Sequence, residues 1–401
     1  MIAFILQDDW GVLGSVLIKR LVDAGYKVSV FVRNGQKGDA GTLTELPLGV
    51  TRTQSLGAAV KDAETILTVL STSQEVEDVY LGEGGILEYA APASLFIDMS
   101  TSNPRLAKEL HALAAVHDHS FVEAPFDGGA EGFTGAGLFE SFGYSKSLES
   151  SGSSGSSGSF ENSGTDALKL YAAGEPDNLI RALPILHALT PRVIDAGLPG
   201  SGAALKLASQ IALANAIMGV VEAIAFATAA GVEKGRVLEA IEGNAAASAV
   251  VQAFGRKILD EEFDSGCDLR LFFNDLAAAL EAADEFDLAL PGLETAHQLY
   301  DLLVLVGGGN KGIHALALIY YDEARCAAHG LNWELAQRAM DVYERVNDNA
   351  YDDYDYDDYD DDYDYDDEEC DDLSRGHLHH HHHHRRGDDG LPSMGSYFSS
   401  N

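Results

Sequence analysis

The pattern that most limits how this chain can fold is the alternation within its first 33 residues. An apolar run, IAFIL at 2–6, precedes apolar residues at helical spacing over 12–24; Gly25 follows, and then KVSVFV at 27–32 alternates with period two. A strand signal gives way to a helix signal and returns, and a glycine just past the helix suits a left-handed C-cap. The alternation recurs as TILTVL (65–70) before a helix over 74–80. It recurs again as SLFIDMS (94–100) before a helix over 105–117, where Asn103 and Pro104 suit the cap and first-turn positions. FVEAP (121–125), ALKLYAA (167–173) and RVIDA (192–196) read as further strands. Strands alternating with helices imply an α/β fold, a Rossmann-type doubly wound and mostly parallel sheet.

After Gly197 only helix signals remain, over 203–230, 234–242, 249–259, 271–283 and 293–304. The expected organisation is therefore a dinucleotide-binding domain over 1–197 and an all-helical domain over 198–345, facing each other across a cleft. The helix over 203–230 is apolar on nearly every side, which in a soluble chain calls for burial within a domain or across a subunit interface. A homodimer or homotetramer is the expectation. Charges within this stretch, such as Lys206 and Glu222, identify a buried helix rather than a membrane span.

Three segments read as additions. A serine- and glycine-rich insertion lies within about 138–166, and an Asp/Tyr run and a six-histidine run, His379 to His384, lie in a tail over 346–401. The net charge of −38 is uneven: 15 acids and no base fall within 351–372. The remainder is still acidic, which argues against a phosphate-backbone partner. Neither nucleic acid nor membrane is an expected partner. The three cysteines, Cys267, Cys326 and Cys370, have no paired spacing, so a reducing cytoplasm is the simplest setting and no metal site is expected.

Two groups of residues can carry chemistry. Lys206 is the only basic residue between Arg192 and Lys234, on an almost wholly apolar helix. Desolvation pulls a lysine down from about 10.4 toward values useful for proton transfer; a lysine near a helix start can instead snorkel to the surface. Gln210 lies one turn later on the same face. In the first βαβ unit, Asp9, Gly11 and Gly14 fall on the glycine positions of a G-x-G-x-x-G fingerprint, leaving D-W-G-V-L-G. At the end of its second strand the chain offers Arg33, Asn34 and, a little later, Lys37; a cation there favours the 2′-phosphate of NADP over NAD.

With these residues assembled, the chain resembles the β-hydroxyacid dehydrogenase family, the group of 3-hydroxyisobutyrate dehydrogenase and tartronate semialdehyde reductase. GVLGSVLIKRLVDAGYKVSVFVRN is similar to its fingerprint and second strand, which implies cofactor contacts at Gly11, Val12, Leu13, Gly14, Arg33 and Asn34. VLSTSQEVEDV is similar to its fourth-strand turn, with Leu70 and Ser71, and FIDMSTSNP to its fifth-strand contact at Thr101. EAPFDGG resembles the substrate loop, with Asp127, Gly128 and Gly129, and GSGAALKLASQ the helix whose lysine maps onto Lys206. LRLFFNDLAAAL brings Asn274 to the position of a cofactor-side lysine. The resemblance implies hydride transfer between NADP, or NAD, and a small 3-hydroxy acid or its semialdehyde. Lys206 would give or take the proton, the amides of Gly128 and Gly129 would hold the substrate carboxylate, and Gln210 would contact the substrate. Asp127 stands where the family has serine; an ionised acid there repels a substrate carboxylate by about 4 kcal/mol at ~4 Å in an effective dielectric near 20. Two further readings are a catalytically impaired or designed relative that keeps the fold and nucleotide affinity without turnover, and an imine-type reductase on the same scaffold.

Overall fold

The computed structural model describes residues 1–7, 11–33, 46–127, 168–242, 248–264 and 269–339, with backbone alone at 11–13 and 248. The serine-rich insertion, the acidic tail, the histidine run and the expected site residues Asn34, Gly128 and Gly129 lie outside them, as do Asp8, Asp9 and Lys37. Met1–Arg345 forms one compact unit.

The first βαβ unit comprises β1 (Ile2–Leu6), α1 (Gly11–Asp23) and β2 (Val28–Val32). Its strand is apolar throughout because both faces are covered. Ile2, Phe4 and Leu6 point to a core shared with Leu17, Ile18 and Leu21 of α1, whereas Ala3 and Ile5 meet Ala59, Val60 and Ile66 on the opposite face. Gly25 closes the helix at φ +88°, a conformation that L side chains rarely adopt.

The chain continues through β3 (Thr51–Arg52), α2 (Leu56–Val60), β4 (Thr65–Val69), α3 (Ser73–Leu81), α4 (Ile86–Tyr89), β5 (Leu95–Asp98), α5 (Pro104–Val116), β6 (Ser120–Glu123) and β7 (Phe126–Asp127). Asn103 caps α5, its side chain accepting from the Arg105 amide, and Pro104 opens the first turn. Then come β8 (Lys169–Gly174), α6 (Pro176–Leu189) and β9 (Arg192–Gly197). The sheet order is β3-β2-β1-β4-β5-β6-β8, parallel from β3 to β6. Beyond β6 it becomes mixed: β8 runs antiparallel to β6 and β7, and β9 parallel to β8. Helix α6, which the sequence patterns did not single out, holds Pro184 within its length and joins α1 on one face of the sheet.

Past Gly197 the described residues contain helices alone. These are α7 (Ser201–Ala229), α8 (Lys234–Glu242), a helical segment 248–259 with a π turn at Val251–Gly255, α9 (Leu269–Glu285), α10 (Pro291–Leu303) continued by a π turn at Val304–Gly308, a 3-10 helix Ile313–Tyr320 and α11 (Glu323–Ala328). A separate core gathers Ala214, Ile217 and Ile224 of α7 with Phe254, Phe272, Tyr300 and Leu316. By length and composition α7 is apolar enough to cross a membrane. Here it packs on α9, α10, α8 and the 3-10 helix, and its N-terminal turns rest against β8, β9 and α5. Its burial is one-sided: Leu205 is 44% and Phe226 79% exposed. Helix α9 is tied to the sheet half at two places. The Asn274 Nδ2 donates to the Ser71 carbonyl (3.2 Å), and the Glu285 carboxylate accepts from Asn103 Nδ2 (3.1 Å) and Arg105 Nε (2.9 Å).

Candidate active site

In a doubly wound sheet, ligands bind at the carboxyl ends of the strands where the order reverses, here between β1 and β4. Leu6 and Val69 face each other at those ends, and α1 starts just beyond at Gly11, with Gly14 buried. The Gln7 side-chain oxygen is buried beside this turn without a hydrogen-bond partner among the described residues, which suits a strand end that a ligand covers. The next two strand ends are tied together. The Leu70 amide donates to Ser100 Oγ (2.9 Å), while Ser100 and Thr68 hydroxyls donate to Asp98 at 2.6 and 2.7 Å. Burial pushes Asp98 up to about 6, against the opposing pull of these hydrogen bonds. Ser71 donates its amide to Glu75 (2.8 Å) and receives Asn274 on its carbonyl. Arg33 sits at the end of β2, its guanidinium 3.5 Å from the Asp78 carboxylate. The strand ends, the helix start and Arg33 therefore fit a dinucleotide.

The lysine helix starts where only glycine fits. A Cβ on Gly200, at φ +88°, would lie 2.8 Å from the Pro104 carbonyl oxygen and 2.6 Å from Lys108 Cε; a Cβ on Gly202 would lie 2.5 Å from the Tyr171 carbonyl oxygen. The first turn of α7 can therefore press against α5 and β8. One turn on, Lys206 is 4% exposed, so its ammonium does not snorkel. It lies 3.3 Å from Asp275 Oδ2 on α9, and the Thr101 side chain stands beside the same carboxylate. Burial raises the Asp275 pKa, opposed by Lys206 and Thr101. Lys206, Thr101 and Asp275 thus meet from α7, the end of β5 and α9. Asp275 carries a charge that keeps a buried ammonium compensated.

Asp127 is not the bare anion that the sequence suggests. Its Oδ2 accepts from the Tyr171 and Ser209 hydroxyls, each at 3.1 Å, and Lys169 Nζ stands 3.8 Å away. Gln210 is buried beside it, its amide donating to Ser209 Oγ (3.2 Å). Reading the sequence singled out Lys206, Gln210, Asp127, Ser71, Thr101 and Asn274, and the fold brings them to one region. It passed over Asp275, Ser209, Tyr171 and Lys169. Signals for these existed: Ser209 is three residues past Lys206 on one helix face, Asp275 follows Asn274, and residues 169 and 171 share one face of a strand.

A parallel sheet with a dinucleotide turn at its switch point, set against a buried and charge-paired lysine, defines the class of nicotinamide-dependent oxidoreductases. The comparisons narrow the class. Residues 10–143 match the NAD binding domain of 6-phosphogluconate dehydrogenase, and residues 200–320 the domain described as NAD-binding of NADP-dependent 3-hydroxyisobutyrate dehydrogenase. The uncharacterized oxidoreductase YkwC of Bacillus subtilis is 29% identical over 76% of this chain and 94% of its own length. The probable 3-hydroxyisobutyrate dehydrogenase-like 1, mitochondrial, of Arabidopsis thaliana is 29% identical over 77% of this chain and 82% of its own. Among solved structures, the 3-hydroxyisobutyrate dehydrogenase of Mycobacterium tuberculosis with L-serine superposes at TM-score 0.61 and 23% identity, over 80% of this chain and 99% of that one. The chain belongs to the β-hydroxyacid dehydrogenase family and is an NAD(P)-dependent oxidoreductase acting on CH–OH groups of hydroxy acids.

Proposed function

We propose that this protein interconverts a small 3-hydroxy acid and its semialdehyde, with NADP preferred over NAD, and that Lys206 is its catalytic proton donor and acceptor. The observation that carries the reading is the Lys206 ammonium, buried and 3.3 Å from Asp275. When bound, the nicotinamide supplies or accepts the hydride at the substrate carbon. In the reducing direction Lys206 gives a proton to the oxygen as negative charge develops there; in the oxidising direction it takes the hydroxyl proton. Asp275 and Thr101 hold the lysine, and Thr101 with Leu70, Ser71 and Asn274 borders the cofactor. The turn at Gly11, Val12, Leu13 and Gly14 cradles the pyrophosphate, and Arg33 with Asn34 receives the 2′-phosphate. Gly128 and Gly129 offer amides to the substrate carboxylate, beside Asp127 and Gln210.

The protein divides into a cofactor domain over 1–197 and a helical domain over 198–345, and the exposed side of α7, with Leu205 and Phe226, joins a second copy in a homodimer or larger assembly. A reducing cytoplasm suits the free, buried thiol of Cys326. The test mixes the protein with NADPH and a panel of short semialdehydes. Oxidation well above a Lys206→Ala control is expected, and none above that control would overturn the assignment.

One observation favours a second reading, a relative that binds nucleotide without turnover: the carboxylate of Asp127 within the substrate loop. Calorimetry separates the two, because tight NADPH binding with no turnover on any substrate supports the second.

A further inference from the structure

The Glu123 carboxylate is 3% exposed at the end of β6 and points into the start of α7. Its Oε1 accepts from the amides of Gly200 (2.6 Å) and Gly202 (3.0 Å), and its Oε2 from that of Ala203 (3.3 Å). The first four amides of a helix have no partner within it, and a carboxylate at that end is favoured by the helix dipole. Here one side chain, from a different element, meets that need at Gly202 and Ala203 of the helix that carries Lys206, while the Ser201 amide donates to the Leu198 carbonyl. The junction is crowded: α5 packs against Gly200 through Pro104 and Lys108, and the Tyr171 carbonyl of β8 packs against Gly202. Four residues after Glu123 the same strand run reaches Asp127, which accepts from Ser209 of α7. The run over 123–127 therefore grips α7 twice, on either side of Lys206.

We propose that Glu123 is a positioning residue for Lys206: by anchoring the first turn of α7 it sets the lysine's reach toward the reacting oxygen and locks the lysine helix to the substrate loop. This rests on the role given to Lys206 above. The geometry gives it a defined kinetic signature. A lysine shifted by about 1 Å costs on the order of 10²-fold in rate, with little effect on ground-state binding at the distant cofactor turn.

The experiment compares Glu123→Ala, Glu123→Gln and Gly202→Ala in the full chain, reading kcat, KM, the NADPH dissociation constant and amide hydrogen exchange over 200–207. In Glu123→Ala, kcat falls about 10²-fold while KM and NADPH affinity stay within about threefold, and the amides of Gly202 and Ala203 exchange at least about tenfold faster. Glu123→Gln keeps one acceptor oxygen and recovers a large part of both losses. Gly202→Ala, which forces α7 off the Tyr171 carbonyl with Glu123 intact, reproduces the fall in kcat. A folded Glu123→Ala with kcat within twofold of the parent overturns the proposal. Should Glu123→Ala not fold, Gly202→Ala decides: unchanged kcat with unchanged exchange over 200–207 overturns it equally. If the parent protein turns over no substrate, the catalytic reading fails by itself, and the exchange rates still test the anchor.

Discussion

Lys206 and Asp275 are 3.3 Å apart although they are 69 residues apart in sequence and lie on different helices. Both side chains are largely buried, at 5% and 13% exposure. Neither charge is stable in such a place without the other, so the pair links the catalytic proposal to the stability of the helical half.

Replacing Lys206 by methionine should lower kcat by about 10²- to 10⁴-fold, the usual contribution of a positioned proton donor. NADPH affinity, measured by fluorescence titration, should change little, since the lysine stands away from the β1 turn. An equal loss of affinity and rate would point to a structural role instead.

Asp275→Asn leaves the Lys206 ammonium without its countercharge and should cost about 3 kcal/mol in urea unfolding, as should Lys206→Met through the orphaned carboxylate. Combining Lys206→Met with Asp275→Asn removes both charges and should recover most of the loss. Additive losses in this cycle would show that the pair is not coupled.

Asp127→Ser replaces an anion at the proposed substrate site with a hydroxyl. Because Tyr171, Ser209 and Lys169 already engage that anion, its repulsion is smaller than a bare carboxylate's. The KM for a carboxylate-bearing substrate should fall by about tenfold, with kcat changing less. A rise in KM would mean that the acid takes part in substrate recognition.

Arg33 stands 3.5 Å from Asp78 in the structure, and it is the residue proposed above to receive the 2′-phosphate. Arg33→Ala should weaken NADPH by about tenfold and leave NADH nearly unchanged. Asp78→Asn frees the guanidinium and should tighten NADPH by about threefold. Equal effects on both cofactors would remove Arg33 from the 2′-phosphate site.

Stability should depend on pH through Glu123. Burial pushes its carboxyl up to about 7, against the three amides that favour the ionised form. Folded Glu123 therefore keeps its proton where the unfolded chain has lost it. Its contribution is fully present below about pH 4.5 and is lost as pH rises through 7, about 3 kcal/mol in all. His314 acts in the opposite direction. Stacked on Phe254 and hydrogen-bonded to the Glu262 carbonyl, it has its pKa lowered by burial, so its contribution holds above about 6.5 and is lost as pH falls. In urea titrations between pH 4.5 and 8, Glu123→Gln should flatten the basic side alone and His314→Gln the acidic side alone.

The alternation of 2–33 determined the first βαβ unit because local hydrophobic period and the Gly25 cap are properties of adjacent residues. The same holds for the Asn103 cap, the helix over 234–242 and the isolated lysine at 206. Helix α6 was not legible, since Pro184 interrupts its pattern. The antiparallel turn of β8 depends on pairing between distant strands. What only the tertiary structure decided is which charges meet. Asp275 reaches Lys206, Glu123 reaches the start of α7, and Tyr171 and Ser209 converge on Asp127 because packing brings separate elements together. Sequence supplies the side chains and their local spacing. The partners of a buried charge follow from where helices and strands cross, and no local pattern encodes that distance.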